Sequence, residues 1–177
     1  MHMQTIRSLA LAAIVCVAGI AAAQPAGGPE TFQRLRALAG EWQGTLEWTG
    51  ARVGKGTVHA SYHPTGNGSA MIEDLVMNGS DTPSMSSVYH LDGSELRMTH
   101  YCGAHNQPRL KAAQIDPAKG IVKFAFLDGT DLEAHPAHVD GVELRFLSAD
   151  RLVLEFTFVG GGKTSVEHIE LDRVRGG

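Results

Sequence analysis

The 177-residue chain is poor in cysteine: Cys16 and Cys102 are the only two, and Cys16 lies in an apolar leader. Without that leader Cys102 stands alone, which excludes an intramolecular disulfide. Runs of positive charge are also missing, and the formal net charge is −4. That excludes the electrostatic footprint of a nucleic-acid binder or of a protein held on an anionic membrane. The longest apolar run, Leu9 to Ile20, is too short for a comfortable span, so no integral membrane span is expected. No G-x-S-x-G, H-E-x-x-H, Rossmann or P-loop pattern occurs. No helical apolar period follows residue 40, and no repeat or linker divides the chain.

What is present begins with an address. Arg7 supplies a positive n-region, Leu9 to Ile20 the apolar h-region, and Ala21-Ala22-Ala23 a small-residue cleavage site before Gln24. Val15 stands before Cys16 where a lipoprotein signal needs a small residue. Residues 1–23 therefore read as a secretory signal cleaved near Ala23-Gln24, giving a periplasmic or secreted protein. Cleavage removes Arg7 and no acid, leaving the mature chain more negative. Residues 24–30 read as a flexible tether and 31–177 as one β-barrel domain. An unpaired thiol in an oxidising compartment is safer buried.

Phe32, Leu35 and Leu38 recur at helical spacing after Pro29, which predicts a short amphipathic helix with Gly40 as its stop. From Glu41 onward the pattern changes to alternation. Glu41 to Trp48, Thr57 to His63, Ser69 to Met77 and Leu110 to Ile115 read as strands between Gly-, Pro- and Asn-rich breaks. Val122 with Phe124 and Phe126, Val142 with Leu144 and Phe146, and Leu152 with Leu154, Phe156 and Phe158 continue the series. In the last strand, Thr164 to Val174, Val166 is out of step with Ile169 and Leu171. Nine or ten strands at hairpin spacing make an all-β antiparallel meander, and closing it into a barrel removes exposed edges.

The stretch Met85 to Arg109 is the most informative. Asp92-Gly93 between alternating runs is a strong hairpin signal. Taken as the loop, it opposes Leu91 to Ser94, Tyr89 to Leu96, Ser87 to Met98 and Met85 to His100. One face then carries Met85, Tyr89, Leu91, Leu96, Met98, His100 and Cys102. This mostly apolar face points to the core, while Arg97, Thr99 and Tyr101 point outward. An inward His100 requires an internal partner, with Ser87 and Gln114 as candidates, and desolvation favours its neutral form.

Leu38-Ala39-Gly40-Glu41-Trp42-Gln43-Gly44 resembles the opening of the calycin superfamily, which includes lipocalins, fatty-acid-binding proteins and nitrobindin-like barrels. The shared pattern is a short helix followed by G-x-W at the start of strand one, here Gly40-Glu41-Trp42. The resemblance implies a barrel closed by an Arg of the last strand over that Trp, and Arg173 holds that position. Trp42, Gly40 and Arg173 are thus the expected barrel closure. The central H-Y-C…N-Q-P-R stretch is similar to that of secreted bacterial barrels of unknown role.

Three functions compete. The first is non-catalytic binding of a small, largely apolar molecule inside the barrel, with Tyr89, Met98, His100, Cys102, Arg109 and Phe124 as candidate ligand-binding residues. Arg109, in the polar loop Asn106-Gln107-Pro108-Arg109, can hold a carboxylate in bidentate geometry. The apolar face can equally fill an ordinary core. The second is a haem- or metal-binding barrel using His100, haem being the nitrobindin-like option. The spacing of His100, Cys102 and His105 along a strand is long for a shared ion and lacks a fourth ligand, so no metal ligands are assigned. His135 and His138 sit in a polar loop, and His59 and His63 on a solvent face. The third is an enzyme using Cys102 and His100, but no third group is identifiable and no catalytic residue is assigned.

Overall fold

The computed structural model describes residues 26–175. The signal segment 1–23, its cleavage point and Cys16 lie outside the described residues. A single helix, α1 (Gly28–Arg36), precedes ten strands. These are β1 (Gly40–Gly50), β2 (Gly54–Thr65), β3 (Ala70–Met77), β4 (Met85–Asp92), β5 (Glu95–Tyr101), β6 (Gln107–Asp116), β7 (Ile121–Thr130), β8 (His138–Phe146), β9 (Arg151–Gly160) and β10 (Lys163–Arg173). Each strand pairs antiparallel with the next, and β10 pairs with β1 to close the barrel. The all-β meander barrel with one short N-terminal helix is the architecture the alternation required.

The seam between β1 and β10 is built as expected. Trp42 is the register partner of Arg173, and the guanidinium carbon lies 4.3 Å from the indole centroid, a cation–π contact. The same guanidinium donates to the carbonyls of Ala37 and Ala39, each at 2.9 Å. These are carbonyls left free where α1 ends, so one side chain both closes the barrel and finishes the helix. Trp42 Nε1 donates to the Leu38 carbonyl at 2.8 Å. With Phe32 and Leu35 buried beneath it, α1 lies across this end of the barrel.

Four local readings differ. The helix begins at Gly28 with Pro29 in its first turn, so Gly28 to Glu30 are helical rather than tether. Gly40 does not stop the helix, which ends at Arg36. Instead Gly40 opens β1 at φ +124°, with a would-be Cβ only 3.3 Å from the Arg173 guanidinium. Gln107 to Arg109 belong to β6 rather than to a loop. The β4–β5 turn is Gly93-Ser94, with Asp92 opposite Glu95. Positive φ at Gly93 and not at Ser94 is the pattern of a type II′ turn, where glycine takes the first central position. The register therefore slips by two residues from the expected one. Because side chains alternate with period two, a slip of two leaves every residue on its face.

Candidate functional site

A polar row runs straight across four neighbouring strands inside the barrel. Tyr62 on β2 opposes Glu73 on β3, Glu73 opposes Ser87 on β4, and Ser87 opposes His100 on β5. All four side chains are buried. Tyr62 and Tyr89 donate their hydroxyls to the same Glu73 oxygen, at 2.7 and 3.0 Å. Ser87 Oγ lies 3.0 Å from His100 Nδ1. Ser87 is thus the partner that an inward His100 needed, and Gln114 is exposed. Burial pushes the Glu73 carboxyl up to about 7, and the hydroxyls of Tyr62, Tyr89 and Ser87 restrain it only in part. Burial pushes His100 down to about 3, so the imidazole is neutral. If Ser87 donates to Glu73, His100 donates through Nδ1, and Nε2 carries the lone pair. Among the described residues, His100 Nε2 and Glu73 Oε1 have no hydrogen-bond partner.

The second element is a cavity of about 530 Å³ at the end opposite α1. Trp48, Met77, Met85, Cys102 and Phe158 supply its apolar lining, and Arg52, Asn78 and Ser165 its polar rim. Trp48 packs on Phe158 with centroids 4.9 Å apart. Arg52 lies over the Trp48 ring at 4.0 Å, and its backbone N–H donates to Ser165 Oγ at 3.0 Å.

Glu167 sits one inward position deeper than Ser165 on β10, between Trp48 of β1 and Phe156 of β9. It is fully buried, and among the described residues neither carboxylate oxygen makes a well-formed hydrogen bond, the Trp48 indole being its neighbouring donor. Burial pushes its carboxyl up to about 7, against the opposing pull of the Arg52 charge and the Trp48 indole. Its charge reaches Cys102, whose thiol is raised first by burial and then by Glu167, while the Ala104 N–H draws it down.

The expected site residues separate into three places. Tyr89, Met98, His100 and Phe124 lie deep in the packed interior. Cys102 lines the mouth cavity. Arg109 is on the outer wall, its guanidinium exposed and hydrogen-bonded to Asp128 at 2.5 Å, and it is not part of the cavity lining. The aromatic face is therefore mostly filled core, and the cavity opens at the mouth. Glu73, Glu167, Trp48 and Arg52 did not stand out in the sequence as site residues.

Among the described residues, no three His, Cys, Asp or Glu side chains converge as a metal site. His135 pairs with Asp131 at 3.5 Å, and Asn106 holds its loop by donating to the His135 and Ala137 carbonyls at 2.7 and 2.8 Å. A haem on His100 does not fit the residues as they stand. The imidazole is fully covered, packs on Phe156 at 5.3 Å, and does not line the cavity.

No protein-family model matches the chain, and no curated protein matches it in sequence. Solved structures match it in fold. Rv2717c from M. tuberculosis superposes with a TM-score of 0.57 at 14% identity, over 82% of this chain and 98% of that one. A protein of unknown function from the DUF3598 family of Nostoc punctiforme gives 0.56 at 14% identity, over 79% of this chain and 49% of that one. This chain thus spans about half the length of the Nostoc protein. The likeness is one of fold, a closed antiparallel β-barrel. Among the described residues, no helix is long and apolar enough to cross a membrane.

Proposed function

We propose that this protein is a non-catalytic binder of a small, largely apolar molecule, exported to the periplasm or beyond, in a secreted bacterial branch of the calycin barrels. The observation that carries the reading is the mouth cavity, with its Trp48, Met77, Met85 and Phe158 walls. Its volume suits a small ligand, and the filled interior below gives it a rigid floor. Cys102 is a wall residue here rather than a nucleophile, because its thiol is raised and, among the described residues, its sulfur accepts from the Ala104 N–H and no base is hydrogen-bonded to it.

Native mass spectrometry of the purified mature chain tests both parts of the reading. A mature mass starting near Gln24, with a retained small molecule or stabilisation by added apolar compounds, is the expected result. A lipid-modified Cys16 refutes the address. A retained haem with a Soret band, or turnover through an alkylated-sensitive Cys102, refutes the binder.

A further inference from the structure

We propose that the mouth cavity takes an amphipathic carboxylate with its head outward: Arg52 at the rim receives the carboxylate, and the apolar body lies inward against Trp48, Met85 and Phe158. The inference rests on the binder reading above and adds the charge of the ligand's head group and the direction in which the ligand lies.

Arg52, Trp48, Met85 and Phe158 all line this cavity. Among the described residues that line it, Arg52 alone carries a charge, since burial keeps the Cys102 thiol protonated. Arg52 is exposed, whereas Trp48 and Met85 are buried, so the charge lies at the rim and the apolar walls lie inward. The backbone that carries Arg52 is fixed. Its N–H donates to Ser165 Oγ and the Ala51 N–H to the Thr164 carbonyl, each at 3.0 Å, which ties the β1–β2 turn to β10. The guanidinium carbon lies 4.0 Å from the centre of the Trp48 ring. A guanidinium over an indole still has N–H donors to offer an acceptor. Among the described residues no oxygen accepts from them, whereas arginines of the outer wall are paired with acids, Arg109 with Asp128 and Arg151 with Glu170. The Arg52 charge reaches Glu167, but the two form no ion pair, and burial holds that carboxyl up to about 7. Below that pH the protein therefore has no anion in the cavity to balance Arg52. A ligand carboxylate matches the guanidinium in charge and in planar, two-bond geometry. An ammonium head meets like charge at the rim, and a hydroxyl head brings none.

The test uses three probes that share an eight-carbon body: octanoate, 1-octanol and octylamine. Binding to the mature protein is followed by tryptophan emission and thermal shift at pH 6, where octanoate is ionised and Glu167 is mostly protonated. Octanoate should bind about five-fold more tightly than octanol, with octylamine weakest. Arg52→Gln, whose folding is checked by its melting transition, should bring octanoate to within about two-fold of octanol and leave octanol within about two-fold of its wild-type affinity. Octanoate should also slow labelling of Cys102, which shares the cavity, and should lose this protection in Arg52→Gln at the same concentration. Equal binding of octanoate and octanol, tightest binding of octylamine, or a carboxylate preference that survives Arg52→Gln overturns the carboxylate site and leaves the binder standing. Failure of all three to bind overturns both.

Discussion

Single residues carry the polar chemistry of this barrel, and their neighbours decide what each can do. His100 is neutral because it is buried, and Ser87 is its only hydrogen-bond partner among the described residues. Ser87→Ala should leave the imidazole nitrogen unpaired and lower stability by about 1–3 kcal/mol. A urea denaturation series measures this, and an unchanged midpoint would mean that the pair is not formed. Cys102 is 9% exposed, with its sulfur accepting from the Ala104 N–H at 3.4 Å. Both its raised thiol and its cover predict slow reaction with a bulky maleimide at pH 7, accelerated by urea. Native labelling as fast as in urea would place the thiol outside the fold. The inward direction of His100 and Cys102 was legible from alternation alone. The two carboxyls were not recognised, although Glu73 stands in step between Met71 and Leu75. A buried acid depends on hydroxyls or ligands brought from other strands, and these come into place only when the sheet closes.

At the scale of elements, alternation was a better guide than turn chemistry. It identified the strands and their faces, yet the β4–β5 loop is displaced by one residue on each strand, because Gly93 takes the first turn position instead of the second. Glu167 was hidden by a similar ambiguity. Val166 suggested one parity for β10, whereas Glu167, Ile169 and Leu171 share the buried face. The polar run Asn106-Gln107-Pro108-Arg109 predicts a loop, but from Gln107 onward β6 is already paired with β7. The β1–β10 seam offers a sharper test of element packing. A Cβ on Gly44 would stand 1.7 Å from the Glu170 carbonyl oxygen, a contact with backbone that no rotamer can relieve. Gly44→Ala should force the closing strands apart and destabilise the barrel by about 3 kcal/mol or more. A thermal melt within a few degrees of the wild type would show that the seam is more open than this geometry.

For the molecule as a whole, three buried groups make stability depend on pH with opposing signs. Glu73 and Glu167 ordinarily ionise near 4.5 and in the fold only near 7. The folded chain therefore keeps protons that the unfolded chain releases, and this stabilisation is full below 4.5 and lost as pH rises through about 7. Each carboxyl is worth on the order of 3 kcal/mol across that window. His100 acts in reverse. Its ordinary value of 6.5 falls to about 3 in the fold, so its contribution is full above 6.5 and lost as pH falls toward 3. Between 6.5 and 4.5 two carboxyls gain while one imidazole loses, and the net change favours the fold as pH drops. Below 4.5 the carboxyl gain is complete and the histidine loss continues. There it is joined by exposed acids such as Asp116, held low by the Lys119 amide, and Glu170, held low by Arg151. The urea midpoint should accordingly rise from pH 8 to a maximum near pH 5 and fall below it. Glu73→Gln and Glu167→Gln should each remove most of the rise on the alkaline side, because the remaining carboxyl and His100 then nearly cancel between pH 6.5 and 4.5, and leave the acid-side fall in place. A midpoint that instead declines steadily from pH 8 to pH 5 would mean that both carboxyls are ionised at low cost in the fold, through solvent or partners reaching them inside the barrel.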